Sequence, residues 1–318
     1  MASNRVIKNI CVFGVGGVGG FFGGKLVDAF RKETPHIHHV FFVGRGPHLK
    51  EIQTNGLVLN TKSEGTLLCR PDIATDNVDD LPHVDLWLIC VKAYDLKQAA
   101  QSIARVASDD TIMLPLLNGV DICERIRAVV DRGVVLPACV FIGTHIEKPG
   151  VVTQTGGEGI VLFGPDTQNP DFDVTPVMDI FEKGSIRHNW IDDPLPSIWE
   201  KYMFISAFGL VTAYSGKTFG EVFADRNLIG LAEEVLHEIN EIARRKGIVL
   251  PNDVVQASIK KALSFPPDTK TSYQRDVETK GRKNEGDVFG GTIIRMGQNV
   301  GVPTPVTHRL YAQIQDRL

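Results

Sequence analysis

One lysine stands in a helix-like stretch where a charged side chain is costly. Lys201 lies inside PSIWEKYMFISAFGLVTA, whose spacing predicts a helix over 196–213 that is apolar on nearly all sides. A lysine in such a helix must be paired, have a lowered pKa or face a polar cleft. Lys201 is therefore a candidate proton donor. The alternative is a lysine at the rim of the helix, with its ammonium reaching solvent.

Two other polar residues come directly after apolar runs. Lys92 ends WLICVK, and Asn118 ends LPLLNG. Ligands of open α/β sheets bind beyond the carboxyl ends of the strands, so both positions favour contact with a bound ligand. For Asn118 the alternative is a turn-forming Asn-Gly pair, and for Lys92 it is a solvated lysine at the entrance of a helix.

Further polar candidates lie near the end of the chain. The segment TSYQRDVE offers Ser272 and Asp276, and KNEGDVFGGTIIRMG offers Glu285 and Asp287 at the start of an apolar-faced helix. Acidic residues in a first helical turn often only complement the helix dipole, so the role of Glu285 stays open on composition alone.

A glycine-rich loop follows the first strand-like run of the chain, ICVF at 10–13. The first glycine permits a tight turn, the second lets the backbone approach a pyrophosphate, and the third lets the next helix pack closely on the strand. The N-terminus of that helix favours anions. The loop predicts dinucleotide binding by Gly14, Val15, Gly16, Gly17, Val18 and Gly19. The alternatives are a βα turn without ligand and, because Arg5 and Lys8 precede the run, an export signal, which the many glycines disfavour.

The residue after the second predicted strand indicates which dinucleotide is bound. NAD-binding folds place an acidic residue there to bind the ribose 2′-hydroxyl. Here the strand ends FFVGR, and Glu33 lies before the strand, where it cannot reach that end. Arg45 can reach it, and a guanidinium matches a 2′-phosphate in charge and geometry, so NADP is favoured. A solvated loop arginine is the alternative.

The elements that must position these residues alternate over the first half of the chain. Helical spacing over 96–107 and 120–130 separates strand-like runs, as in an open parallel sheet. These runs are HHVFFVG (38–44), VDLWLICVK (84–92), TIMLPLLNG (111–119) and VVLPACVFIG (134–143). Two later runs, GVVTQTG and GIVLFG, are divided at 156–159 and predict a hairpin-type addition before a helix over 173–183.

Long helices dominate the rest of the chain. The spacing predicts helices over 196–213, 225–246 and 252–263, with Asp225 and Asn252 as N-caps. The polar connection over 264–285 is either a loop or a mobile segment that closes over a cleft. The fold class is therefore an α/β Rossmann-type N-terminal domain over 1–193, followed by an all-α C-terminal domain over 194–318.

Composition narrows the partners of the protein. The 318 residues carry a formal net charge of −4, which gives no electrostatic reason to expect nucleic acid or an anionic membrane. A small-molecule substrate is expected. The five cysteines are an odd number without CxxC spacing, and no apolar run is long enough to cross a membrane, so we expect reduced thiols and a cytoplasmic location.

The histidine-rich segment after Thr34-Pro35 suggests a metal site at first sight. His36, His38 and His39 lack acidic or cysteine ligands at matched spacing, so a solvated loop without a metal is predicted.

In their order along the chain, these motifs resemble the ketopantoate reductase (2-dehydropantoate 2-reductase) family from about residue 9 to residue 305. The resemblance rests on the glycine loop, VKAYD, LNGV, WEKYMF, SYQRDVE, NEGD and GVPTP. It implies a Rossmann-type NADP domain and an all-helical domain like that of 6-phosphogluconate dehydrogenase. The implied activity is hydride transfer from NADPH to ketopantoate, which gives pantoate for pantothenate and coenzyme A synthesis.

The resemblance also implies residue roles. Lys201 is the general acid that protonates the developing alkoxide, and Glu285 is its acidic partner. Asn118 holds the lysine and the substrate in register, and Ser272 contacts the substrate carboxylate. Lys92 lies on the cofactor side, and Asn118 and Glu285 also border the cofactor. A positioned ammonium both stabilises and protonates the negative oxygen that hydride addition leaves.

Two departures bear on the substrate. The family usually has asparagines four and eight residues after the lysine, where this chain has Ile205 and Gly209. One residue is also inserted between Asp276 and Glu285. A site that loses hydroxyl-binding groups loses discrimination, so another branched or apolar 2-oxo acid is an alternative substrate. A sensor that binds NADPH without turnover is a further alternative, and a homodimer through the long helix is undecided.

Overall fold

A computed structural model describes residues 6–279, 281 and 283–318. Arg5, which belongs to the export-signal alternative, lies outside these residues. The strands are β1 Asn9–Phe13, β2 His39–Val43, β3 Leu57–Thr61, β4 Gly65–Cys69, β5 Ile73–Thr75, β6 Leu86–Ile89, β7 Ile112–Pro115, β8 Val134–Val135, β9 Ala138–Lys148, β10 Val151–Phe163 and β11 His188–Trp190. The helices are α1 Gly17–Phe30, α2 Gly46–Asn55, α3 Leu96–Val106, α4 Ile122–Arg127, α5 Thr175–Lys183, α6 Leu195–Ser215, α7 Phe219–Ala224, α8 Arg226–Arg245, α9 Val254–Leu263, α10 Ser272–Glu278, α11 Thr292–Val300 and α12 Pro305–Gln315.

The chain divides into two compact units. One contains the chain up to Leu117 together with Ile122–Pro194, and the other contains Asn118–Asp121 together with Leu195–Leu318. The boundary after residue 193 remains a prediction from the sequence, which did not foresee that a four-residue piece of the first half belongs with the helices.

A parallel sheet forms the centre of the first unit. Its strand order is β5-β2-β1-β6-β7-β8. β1 lies in the middle, and Ile10, Cys11 and Val12 are fully buried, as expected of a strand covered on both faces. The chain leaves β1 towards β2 and β5 on one side and returns to β6 on the other, so the sheet has its switch point at the carboxyl end of β1.

A second, mixed sheet joins β11, β10, β3 and β4, with β9 paired antiparallel to β10. The predicted hairpin turn at 156–159 is wrong, because the turn lies between Lys148 and Val151 and β10 continues through the glycines. Shifts of register mark the glycine stretch. Gly157 and Gly159 have φ of 68° and 73°, so they absorb a bulge that would otherwise end the strand.

The run VVLPACVFIG does not form the single strand that was predicted. It divides into β8 and β9 around Leu136-Pro137, and proline has no N–H for a sheet hydrogen bond. The five cysteines are free thiols, as predicted; Cys11, Cys69 and Cys139 are buried, and Cys90 and Cys123 are half-buried.

Small residues let α1 approach both sheets. A Cβ at Gly23 would lie 2.7 Å from the Phe42 ring in the parallel sheet. A Cβ at Gly24 would lie 2.8 Å from Leu59 in the second sheet. Since such contacts are too short for real side chains, these glycines allow α1 to contribute to a core shared with both sheets.

The second unit is built around α6, which packs against α8, α10 and α12. The long helices near 196–213 and 225–246 are confirmed, and Asp225 caps α8 by accepting the N–H groups of Asn227 and Leu228. The Asn252 cap is wrong, because α9 begins at Val254 without a side-chain cap. The connection over 264–285 is not only a loop, since it contains α10. Among the described residues, no helix combines the length and the apolar character needed to cross a bilayer.

The histidine segment is more ordered than a solvated loop. His38 is only 3% exposed, and its Nδ1 lies 2.7 Å from the Glu33 carboxylate. The prediction is therefore wrong for His38, because a carboxylate five residues earlier in the chain compensates its burial. His36 and His39 remain partly exposed.

Candidate active site

The glycine loop connects β1 to α1. Gly14 has φ of +96°, and a Cβ there would lie 2.7 Å from the Val91 nitrogen, so no other residue fits. A Cβ at Gly19 would lie 2.1 Å from the Gly14 oxygen. Around a Cβ at Gly16, by contrast, no described atom lies within 4 Å. Neighbouring atoms therefore pack tightly against the loop at Gly14 and Gly19, whereas space remains beside Gly16. α1 also starts without a side-chain cap, so its N-terminal N–H groups suit a bound pyrophosphate.

Arg45 lies at the carboxyl end of β2, as predicted, and takes the N-cap position of α2. Its side chain is 67% exposed and forms an ion pair with Asp95, which follows β6. β2 and β6 both pair parallel with β1, so the two residues follow the carboxyl ends of strands on the same side of the sheet. Lys92 lies on this side too, half-buried at the start of the short 3-10 turn Ala93–Asp95.

His48 in α2 lies near Val15 of the glycine loop. Its Nδ1 accepts the Gly150 N–H over 3.0 Å. Burial lowers the pKa of His48, and the nearby Val15 backbone partly opposes that shift. This residue could not be foreseen from the sequence, because a histidine inside a helix carries no local signal of the residues that pack against it.

Lys201 in α6 donates a hydrogen bond from Nζ to Oδ1 of Asn118 over 2.9 Å. Asn118 belongs to the segment Asn118–Asp121 that is part of the helical unit. The next residue, Gly119, has φ of +136° and makes the turn that was the alternative for Asn118. The turn and the side-chain contact occur together, so neither excludes the other.

Glu285 is 4% exposed and lies two residues before a π-helical turn, Asp287–Gly291, with Gly286 between them. The predicted helix start at Glu285 is therefore a π turn that leads into α11, and such turns are frequent at functional sites. Tyr202, the neighbour of Lys201 in α6, donates its hydroxyl to the Val288 carbonyl over 2.6 Å. This bond ties the Glu285 segment to the part of α6 that carries Lys201. The sequence indicates one inserted residue between Asp276 and Glu285. This stretch includes residues 280 and 282, which lie outside the described part of the chain.

Ser272 is the exposed first residue of α10. Thr271 caps this helix by accepting the Gln274 N–H, and its hydroxyl lies 2.8 Å from that of Thr212 in α6. α10 is thereby fixed to α6 beside Ser272.

Ile205 and Gly209 follow Lys201 at four-residue spacing, so the three share one face of α6. Gly209 is buried, and the nearest atoms to a Cβ there belong to Tyr273 at 3.7 and 3.8 Å. This is ordinary van der Waals contact, so a larger side chain fits at its first carbon. At both positions the chain offers no polar side chain to a ligand.

The fold and the site define a class, the nicotinamide-dependent oxidoreductases that act on CH–OH groups. More narrowly, the chain belongs to the ketopantoate reductase family. The sequence profile "Ketopantoate reductase PanE/ApbA" matches residues 10–168, and "Ketopantoate reductase PanE/ApbA C terminal" matches residues 193–317.

Individual relatives agree with this placement. A 2-dehydropantoate 2-reductase of Mesorhizobium japonicum is 26% identical, with 96% of each chain covered. The PanE/ApbA family ketopantoate reductase of Ralstonia eutropha has a crystal structure that is 25% identical, with a TM-score of 0.86 over 97% of this chain and 98% of that one. A D-mandelate dehydrogenase, solved with NADH and anilino(oxo)acetate, shares the fold at 20% identity, with a TM-score of 0.85 over 97% and 98%.

Proposed function

We propose that the protein reduces a 2-oxo acid with NADPH and that the substrate is ketopantoate, yielding pantoate for pantothenate synthesis. The single observation that carries the proposal is the hydrogen bond between Lys201 and Asn118. It explains why a lysine stands in a largely buried helix, and it supplies a positioned proton donor. The relatives named for this reaction support the choice of substrate.

When bound, NADPH supplies the hydride that reduces the 2-oxo carbon. Lys201 acts on the oxygen: its ammonium stabilises the negative charge that develops there and donates a proton to it. Asn118 is a neutral amide, so it fixes the position of Nζ while taking no proton itself. Each turnover thus consumes one proton from Lys201, which returns from solvent.

Glu285 and Ser272 complete the proposed site. Glu285 is a buried carboxyl in a segment that a hydrogen bond from Tyr202 ties to α6. We therefore assign to Glu285 the role of orienting Lys201 and the substrate. Ser272 has an exposed position as the first residue of α10, and the resemblance to the family implies that this serine contacts the substrate carboxylate. We therefore assign the carboxylate of the 2-oxo acid to this end of α10.

Arg45 supports NADP as the cofactor. A guanidinium matches a 2′-phosphate, and the residue that follows β2 and Gly44 is Arg45 and not an acidic residue. Asp95 holds the guanidinium in an ion pair, so the 2′-phosphate must either bind the guanidinium together with that carboxylate or displace the carboxylate. Lys92 lies on the same side of the sheet and adds positive charge.

A second candidate substrate is a more apolar 2-oxo acid, and the observation that favours it is the pair Ile205 and Gly209. Neither residue can bind a substrate hydroxyl through its side chain, and Gly209 leaves ordinary contact distance to Tyr273. The D-mandelate dehydrogenase of similar fold was solved with anilino(oxo)acetate, a 2-oxo acid derivative that carries an aromatic ring.

The test measures NADPH oxidation with ketopantoate, with 2-oxoisovalerate, which lacks the hydroxyl, and with benzoylformate, which is aromatic. A clear preference in kcat/KM for ketopantoate supports the first proposal. A preference for either other acid supports the second. Tight NADPH binding without turnover of any of the three contradicts both and favours a sensor.

A further inference from the structure

Two histidines and an aspartate converge where the neighbouring strands β2 and β5 begin. His36 Nε2 lies 3.3 Å from Asp72 Oδ1, and His39 Nδ1 lies 3.1 Å from the same oxygen. The three ligating atoms lie within 4.8 Å of one another. β2 and β5 run parallel, so the start of β5 brings Asp72 next to a histidine that precedes it by 33 residues.

Two of the three side chains are oriented by a second hydrogen bond. Asp72 Oδ2 accepts the Val40 N–H over 2.8 Å, which directs Oδ1 towards the two rings. His36 Nδ1 lies 3.1 Å from the Phe30 carbonyl oxygen, which can only accept, so this nitrogen carries a hydrogen. In the neutral ring the lone pair is therefore on Nε2, the atom that faces Asp72. A backbone carbonyl that fixes a histidine tautomer in this way is typical of metal ligands.

The rings of the two histidines are also held relative to each other. Their centroids are 4.9 Å apart with an interplanar angle of 83°, and the His39 ring is parallel to that of Phe41. Two imidazole nitrogens directed at one carboxylate oxygen form a compact N₂O set, which suits zinc and related divalent metals.

We propose that His36 Nε2, His39 Nδ1 and Asp72 Oδ1 form a binding site for a divalent transition metal, with Zn²⁺ as the preferred ion. Zinc–ligand distances of about 2.0–2.1 Å give a coordination tetrahedron with edges of about 3.3–3.4 Å. The observed 3.1 and 3.3 Å distances to Asp72 are close to such edges. His36 and His39 are each 41% exposed, so water has access to the remaining position.

The site lies away from the nucleotide loop. It is at the amino ends of β2 and β5, whereas the glycine loop follows the carboxyl end of β1 in the same parallel sheet. The metal would fasten the connection between α1 and β2 to the start of β5. We therefore expect an effect on the stability of the first unit and none on the hydride chemistry.

His38 is not part of the site, because its ring is buried against Glu33. The chain also provides a matched control in His83, which is 51% exposed and lies 3.5 Å from Asp85. This pair has the same two residue types as His39 and Asp72, but it is outside the group of three metal-ligating side chains found among the described residues.

The test titrates Zn²⁺ into the full-length protein, free of affinity tags and stripped with a chelator, by calorimetry. We expect one site with a dissociation constant in the micromolar range or tighter. His36→Ala and His39→Ala each weaken binding by about tenfold or more, and His83→Ala does not. With Co²⁺ the wild type gives the visible spectrum of a nitrogen- and oxygen-ligated ion, which His39→Ala removes.

Thermal unfolding gives an independent readout. Saturating Zn²⁺ should raise the melting temperature of the wild type and of His83→Ala, because the metal binds the folded state, but not that of His39→Ala. Asp72→Asn should lose the metal as well, although it also alters the contact with Val40. Absence of Zn²⁺ binding at millimolar concentration overturns the proposal. Binding that persists in the double variant of His36 and His39 places the metal at other residues and overturns it equally.

Discussion

Lys201 and Asn118 are 83 residues apart in the chain, and a 2.9 Å hydrogen bond joins them within the helical unit. Lys201 contributes a charge, and Asn118 contributes a fixed acceptor that carries none. The bond thus restrains a flexible four-carbon side chain, as the proposed role in proton donation requires.

Lys201→Met should leave the fold and NADPH binding unchanged and lower kcat by about 10²–10⁴-fold, the range attributed to general acid–base catalysis. The measurement is steady-state turnover, with NADPH affinity followed by fluorescence. Lys217→Met is the control, because Lys217 lies just after the same helix and pairs with Asp225. Near-normal turnover of Lys201→Met would remove the proposed mechanism.

Asn118→Ala should lower kcat by about tenfold to a hundredfold, a loss smaller than that of Lys201→Met, because the ammonium remains but its position is no longer fixed. Combining the two substitutions should cost no more than Lys201→Met alone, since Asn118 acts through the lysine. Additive losses in this double-mutant cycle would show that Asn118 has a separate role.

Arg45→Gln should weaken NADPH binding by about tenfold or more, the loss expected for charge-assisted hydrogen bonds to a phosphate, and leave NADH binding nearly unchanged. The measurement is the dissociation constant of NADPH and of NADH for the wild type and for the variant. Asp95→Asn serves as the companion variant: it releases the guanidinium from its ion pair, so NADPH should bind at least as tightly as in the wild type. Equal weakening of both cofactors by Arg45→Gln would mean that the residue only supports the loop.

Gly209→Asn should raise the ratio of kcat/KM for ketopantoate to that for 2-oxoisovalerate by about tenfold, because it provides an amide for the substrate hydroxyl. The space beside Tyr273 admits the first carbon of the new side chain without a clash. Gly230→Asn in α8 is the matched control, with no described atom within 4 Å of its added Cβ. An unchanged ratio would show that this face of α6 does not meet the substrate hydroxyl.

Glu33 should make the stability of the first unit depend on pH. Burial alone would raise the pKa of Glu33, but hydrogen bonds from the His38 ring and from the N–H groups of Ile37 and His38 outweigh it and lower the pKa to about 2. The folded pKa is below the ordinary value of 4.5. The contribution of Glu33 is therefore fully present above pH 4.5 and is lost as the pH falls towards 2.

Glu33→Gln should accordingly lower the melting temperature at pH 7 by about 2–4 °C, which corresponds to roughly 1 kcal/mol in a domain of this size. The difference from the wild type should narrow below pH 4.5. The exposed Glu124→Gln provides the comparison within the same unit. A difference that stays constant down to pH 3 would assign the effect to packing and not to the charge.

Local chain chemistry explains which features the sequence predicted. β1, the glycine loop and α1 follow from short-range sterics, since Gly14 and Gly19 leave space that no other residue could. α6 and α8 follow from apolar spacing over many turns. The turn of the β9–β10 hairpin was misplaced because a glycine stretch can end a strand or bulge within it, and only pairing with β9 decides between the two.

The site shows the same limit. Lys201, Asn118 and Glu285 could each be proposed from their neighbours, but the bond between Lys201 and Asn118 and the bond from Tyr202 to the Val288 carbonyl depend on the tertiary fold. Asp95 was missed because nothing in VKAYD shows that its carboxylate meets Arg45. The inward-facing His48 was missed for the same reason.

The placement of Asn118–Asp121 with the helices has a consequence for chimeric proteins. The two sequence profiles of the family divide between residues 168 and 193, yet the acceptor for Lys201 is encoded before that division. A recombinant that joins the C-terminal half of this chain to the nucleotide-binding half of a relative would replace Asn118 along with the cofactor loop. We expect such hybrids to keep a working proton donor only where the incoming parent also supplies an asparagine at that turn, so the two halves are not independently exchangeable modules.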